Sequence, residues 1–318
     1  MNVNEAMSQA LVELLRDDPR RVLLGEDVTT GGMLGWSKAV SEDPELRARL
    51  VAMPLLPTTM AAHAGGLALA GLRPIVLLSS AFALVEGLAG LREIGLSASR
   101  SAGERTAPVL FVAPCGPGYG LGDDANEAPE ALLSRLVGVR VFSVGDAGEA
   151  VRRLVDAAAF GEAEEPTVLL VPRLVLSTAL DDASPSAEPT EAIRRVRHGR
   201  AITVFTWGEG LGPVLAACDE GELDATVVDI ARLSPLDRPA IIEAARDTGR
   251  IAIVHAGARD HGLGAEIAAL VAAEAIHYLD APILRVCGED GPHAPCDELL
   301  GLPAHDRIAA ALHELATP

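Results

Sequence analysis

Two doubly wound α/β domains are what this sequence predicts, and three observations carry the prediction. Short Val- and Ile-rich runs alternate with longer segments of helical period. A segment of Pro, Ser and acidic residues, DDASPSAEPTE at 181–191, interrupts that alternation once. The length, 318 residues, allows each half to bury its own core.

In the first half, strands are expected at 21–25, 74–79, 109–113, 139–143 and 168–171. Helices are expected between and around them at 4–16, 58–70, 84–97, 130–136 and 147–160. Such alternation predicts a parallel sheet with helices on both faces. After the linker, strands are expected at 201–206, 225–229, 251–255 and 283–286, with helices at 212–219, 238–248, 264–275 and 306–315. The division is therefore 1–180, a linker at 181–192, and 193–318.

Nearly half the residues are apolar but only 3% are aromatic, so the cores must be filled by Ala, Val, Leu and Ile. The formal charge of −19 argues against nucleic acid or an anionic membrane as partner, since phosphate binding needs clustered Lys and Arg. No apolar run reaches the length of a bilayer span. The first residues, MNVNEAMSQALVELLRDD, lack the basic and apolar regions of a signal peptide. Four scattered cysteines without C-x-x-C spacing read as buried thiols in a reducing compartment. A cytoplasmic protein is expected.

Several segments, in order, resemble the beta subunit of the pyruvate and branched-chain 2-oxoacid dehydrogenases, in their first, decarboxylating component. They are LLGEDV at 23–28, GGLALAGLRPIV at 65–76 and GPGYGLG at 116–122. TWGEG, VVDIARLSPLD, TGRIAIVH and GLGAEIAALVAAEA follow in the second half. The resemblance spans almost the whole chain. It implies a transketolase-like pyrimidine-binding domain followed by a transketolase C-terminal-like domain. It also implies thiamine diphosphate shared with an alpha-type subunit, an α2β2 heterotetramer, and an acyltransferase core as a further partner. No GDG motif is present, so Mg²⁺ would be held only through the partner chain.

The positions that should carry chemistry depart from the family. There, a glutamate at the start of the helix before GLRP relays a proton to the aminopyrimidine ring. Counting back from Arg73-Pro74 without a gap, that position is Pro57. Proline suits a first helical turn but carries no proton. The family histidine beyond the glycine loop falls on Ala125, whose methyl group is neither acid nor base. The aromatic ring that stacks on the pyrimidine falls on Ala83, with Phe82 one position away. No catalytic residue is assigned. The cofactor-binding candidates are Glu26, in an acidic loop at a strand's carboxyl end, Phe82, and Glu86, expected to open the next helix.

Other groups have competing readings. His63 either faces the cleft or is a solvated helix histidine. Asp123, Asp124 and Glu127 either bind a cation or form a solvated loop. The glycine run 116–122 lacks the Lys-Ser/Thr of a phosphate loop, which favours a turn near the cofactor. His255 and His261 lie six apart with Asp260 beside them, and the sequence places no further ligand, so no metal site is expected. GEGLG at 208–212 has no acid at dinucleotide spacing.

The resemblance implies an oxidoreductase, a beta-type subunit for oxidative decarboxylation of a 2-oxoacid that the sequence does not specify. Pro57 and Ala125 imply impaired or non-standard catalysis. Two alternatives remain open: an inactive pseudoenzyme that scaffolds or regulates, and an ancillary enzyme that reuses the cleft.

Overall fold

The computed structural model describes residues 2–122, 128–160, 164–180, 192–289 and 291–317. The chain enters through the helix Val3–Asp17. Asn2 accepts the Glu5 amide while Glu5 accepts the Asn2 amide, a reciprocal cap. Val3, Met7, Leu11 and Leu14 fall on one face of that helix and are buried.

The first sheet contains β1 (Arg21–Gly25), β2 (Leu50–Ala52), β3 (Arg73–Leu77), β4 (Leu110–Cys115), β5 (Arg140–Ser143) and β6 (Thr167–Pro172). The second contains β7 (Arg194–Arg197), β8 (Ile202–Thr206), β9 (Ala225–Asp229), β11 (Ile251–His255) and β12 (Leu284–Cys287), while β10 (Arg232–Ser234) crosses back to the first. The orders are β10-β5-β6-β4-β3-β1-β2 and β12-β11-β8-β9-β7. The central strands are parallel and buried on both faces, which is why they read as continuous Val/Leu/Ile runs.

The expectation of wholly parallel sheets is corrected at two edges. β10 pairs antiparallel with β5, and β7 pairs antiparallel with β9. Both strands, like β2, are short and were not predicted. RRVR in β7 has no apolar run to betray it, and its strand state comes from pairing alone. The expected helix 84–97 is instead three pieces, Phe82–Glu86, Leu88–Gly95 and Ser97–Arg100. The first break falls at Gly87, where a Cβ would lie 3.5 Å from the Pro57 ring carbon.

One apolar cluster runs from Leu24, Met60 and Phe111 of the first half into Phe205, Trp207, Ile230 and Ile241 of the second. A continuous hydrophobic interface of this kind holds the two halves in one arrangement. The linker 181–192 lies outside the described residues except for Ala192. No helix among the described residues is long and apolar enough to cross a membrane.

Candidate functional site

The carboxyl ends of β1 and β3 are adjacent, Gly25 opposite Leu77. A Cβ at Gly25 would meet the Leu77 carbonyl oxygen at 2.6 Å, so only glycine permits this approach. Beyond β3 the chain passes through Ala81, whose amide donates to the Pro114 carbonyl at 2.8 Å, into the helix Phe82–Glu86. Phe82 is half-buried and Ala83 buried, so Phe82 is the ring partly open to solvent at this end of the sheet.

Pro57 is the first residue of the helix Pro57–Leu69, and no side chain caps that helix. The Thr58 hydroxyl donates to the Glu86 carbonyl at 2.8 Å, tying the two helices together. Pro57, Phe82 and Glu86 thus come to one end of the first sheet. Glu86 closes its helix rather than opening it, because the helix begins at Phe82, two residues earlier than expected, and ends at Glu86, whose side chain is exposed. His63 is exposed on the helix that Pro57 begins. Glu26 lines a different cavity, of about 170 Å³, with Gly31, Gly32, Trp36, Ser37 and Leu77–Ser79. Pro57, Phe82 and Glu86 are not among its walls. Ala125 and its neighbours Asp123, Asp124 and Glu127 lie outside the described residues.

The glycine loop after β4 is occupied by the protein itself. The amides of Gly118 and Gly120 each donate to Glu298 Oε1 at 2.8 Å, and that of Leu121 to Oε2 at 3.2 Å. Gly118 and Gly120 have φ of +136° and +64°, which turns successive amides toward one point. Such a nest accepts an anion, and here the anion is a carboxylate from the second domain. Arg173, which follows β6, is fully buried and donates to the Gly116 carbonyl at 2.7 Å. The β4–β6 register, Cys115 opposite Pro172, dictates that contact.

His255 and His261 do not converge. His255 is buried and stacks on Trp207 at 4.7 Å, with the ring planes 14° apart. Its Nδ1 lies 2.6 Å from the Ala256 carbonyl, so Nδ1 carries the proton, and Nε2 faces the Cys287 thiol at 3.2 Å. Burial lowers its pKa to about 4, outweighing that hydrogen bond. His261 is exposed.

A charged cluster also joins the domains. Arg194 reaches Asp229 at 2.7 Å, Asp146 at 2.9 Å and Glu149 at 3.1 Å, while Arg153 holds the other oxygen of Glu149 at 2.8 Å. Burial raises Asp229 to about 6 against the pull of Arg194, and the neighbouring Glu149 adds to the rise.

Glu298, Arg173, Arg194 and the Trp207–His255 stack are contacts that sequence reasoning missed. The stack alone had a signal: β8 and β11 pair with Phe205 opposite Ile253, which carries Trp207 and His255 to adjacent strand ends.

Residues 1–178 match the transketolase pyrimidine-binding domain, and residues 191–303 match the transketolase C-terminal domain. Over 98% of its length the chain is 29% identical to a 2-oxoisovalerate dehydrogenase subunit beta of Pseudomonas aeruginosa, covering 93% of that protein. It is 31% identical to a pyruvate dehydrogenase E1 component subunit beta of Leifsonia xyli, over 96% of this chain and 90% of the relative. Among solved structures, a split-gene transketolase described as an inactive beta4 tetramer superposes with a TM-score of 0.76 at 21% identity, covering 99% and 98% of the two chains. Transketolase from Leishmania mexicana does so at 0.70 and 16%, with 99% of this chain matching 45% of that one. The chain belongs to the transketolase-like family, and within it to the group of 2-oxoacid dehydrogenase E1 beta subunits.

Proposed function

We propose that this chain is a beta-type subunit of a 2-oxoacid dehydrogenase-like assembly, paired with an alpha-type subunit, in which the standard proton relay is lost. Residues 1–180 form the pyrimidine-binding half and 193–318 the C-terminal half, joined by the linker 181–192. The observation that supports the reading is Pro57 at the first position of its helix, the position onto which the gapless count puts the relay glutamate of the family. The cofactor implied by the family is thiamine diphosphate, with Mg²⁺ held by the alpha chain.

The residues present do not fit the aminopyrimidine relay. Pro57 offers no ionisable group, no side chain caps that helix, the Glu86 side chain is exposed at the end of the next helix, and the Glu26 carboxyl lines another cavity. A positioned acid–base group contributes roughly 10²–10⁴ in rate, and its loss is enough to silence turnover while the fold persists.

The second reading is a pseudo-subunit that assembles without turnover, and the same substitution favours it. The test is co-expression with an alpha-type E1 subunit, then assay of CO₂ release from pyruvate and branched-chain oxoacids with thiamine diphosphate and Mg²⁺. Assembly with little or no CO₂ release is expected. Robust cofactor-dependent release overturns the proposal, and failure to assemble favours a repurposed ancillary enzyme.

A further inference from the structure

Between the glycine loop and the second domain lies a cavity of about 240 Å³, outside the Pro57 cleft. Pro117, Ala128, Ala256 and Ala258 give it apolar walls, and Glu209, Glu289 and Glu298 give it carboxyl groups. These acids are not equivalent. Glu298 is engaged by the three loop amides, and Glu289 is exposed at the rim. Glu209 is only 6% exposed, and its own backbone amide is the one hydrogen-bond donor its carboxyl finds among the described residues.

Arg173 acts on Glu209 only through space. Burial raises the Glu209 pKa, because lost hydration is not replaced. A Cβ at Gly116 would come within 2.5 Å of Glu209 Oε1, so the loop backbone is fitted closely around this carboxyl group. A buried acid facing an open cavity without a cation in contact is a group waiting for a partner.

We propose that this cavity binds a small organic cation bearing N–H donors, a primary ammonium or an amidinium, with Glu209 as its counter-ion. A hard metal ion needs several oxygen ligands at once, and no three His, Cys, Asp or Glu residues among those described converge in that way. An ammonium group needs one carboxylate and neighbouring carbonyls, while the alanines and Pro117 cover its alkyl part. At ~30 Å³ per water-sized volume, the space suits a ligand of roughly eight non-hydrogen atoms or fewer. The site does not depend on the subunit pairing proposed above.

Titration calorimetry on the full chain with n-butylammonium chloride tests it, with n-butanol and sodium butyrate as isosteric controls. Butylammonium should bind and neither control should. Glu209→Gln should weaken binding about tenfold or more, and Glu289→Gln much less. Undiminished affinity in Glu209→Gln, equal binding of butanol, or no binding heat overturns the proposal. If Glu209→Gln does not fold, the butanol and butyrate controls in the wild-type chain still decide the matter.

Discussion

Glu298 Oε1 accepts the Gly118 amide at 2.8 Å across 180 residues of sequence, and the same oxygen takes the Gly120 amide. The contact fills an anion nest with the protein's own carboxylate and fastens the second domain to the glycine loop of the first. Glu298→Ala leaves three amides short of an acceptor and should lower stability by about 2 kcal/mol. Glu298→Gln, which keeps one oxygen, should lose less. Urea unfolding midpoints measure both, and an unchanged Glu298→Ala midpoint removes this contact from the account.

Arg194 should matter more than any exposed ion pair. Its removal leaves the buried carboxyls of Glu149 and Asp229 without their shared cation. Arg194→Met should therefore cost about 3–5 kcal/mol, read from equilibrium unfolding. Exposed Arg100, paired with Glu93, is the control, and Arg100→Met should change stability by less than about 1 kcal/mol.

Asp229 imposes a definite sign on pH dependence. Its folded pKa, about 6, lies above the ordinary 3.8, so the native state binds the proton more tightly. Its contribution is full below about 3.8 and is lost as pH rises through 6, an effect of about 3 kcal/mol. Asp229→Asn should remove this contribution, so that the unfolding free energy of the variant rises relative to wild type as pH increases from about 3.8 to 6.

His255 acts in the opposite sense. Its folded pKa of about 4 lies below the ordinary 6.5, so the unfolded chain binds the proton more tightly. Stability from the neutral imidazole is present above 6.5 and lost as pH falls toward 4, again by about 3 kcal/mol. In wild type the two effects largely cancel between pH 4 and 6. His255→Gln should expose the Asp229 slope, and Asp229→Asn the His255 slope. Parallel profiles for wild type and both variants contradict this.

The parallel cores and most helices were legible in the sequence because buried strands such as β4 and β6 are continuous apolar runs. The departures fall where tertiary pairing overrides local pattern. RRVR at 194–197 becomes a strand where it pairs with β9, and the helix expected at 84–97 breaks at Gly87, beside Pro57 of the neighbouring helix. The site was half legible. Gapless counting put Pro57 at a helix start, and that is where it stands. Glu209 and Glu298 carried no local signal. Their contacts, Glu209 beside Gly116 and Glu298 on the Gly118 and Gly120 amides, arise from approaches across the domain interface, which no short motif encodes.

The central claim is that position 57 supplies no proton relay, and the exchange of the thiazolium C2 proton of thiamine diphosphate reads that relay without requiring a substrate. Proton–deuterium exchange at C2 should be followed by quench-flow and NMR in the complex of this chain with the alpha-type subunit proposed above, beside the Pro57→Glu variant. The expected result is an exchange rate no faster than that of the free cofactor, with acceleration of about 10² or more in Pro57→Glu. Strong acceleration by the wild-type complex would contradict the account.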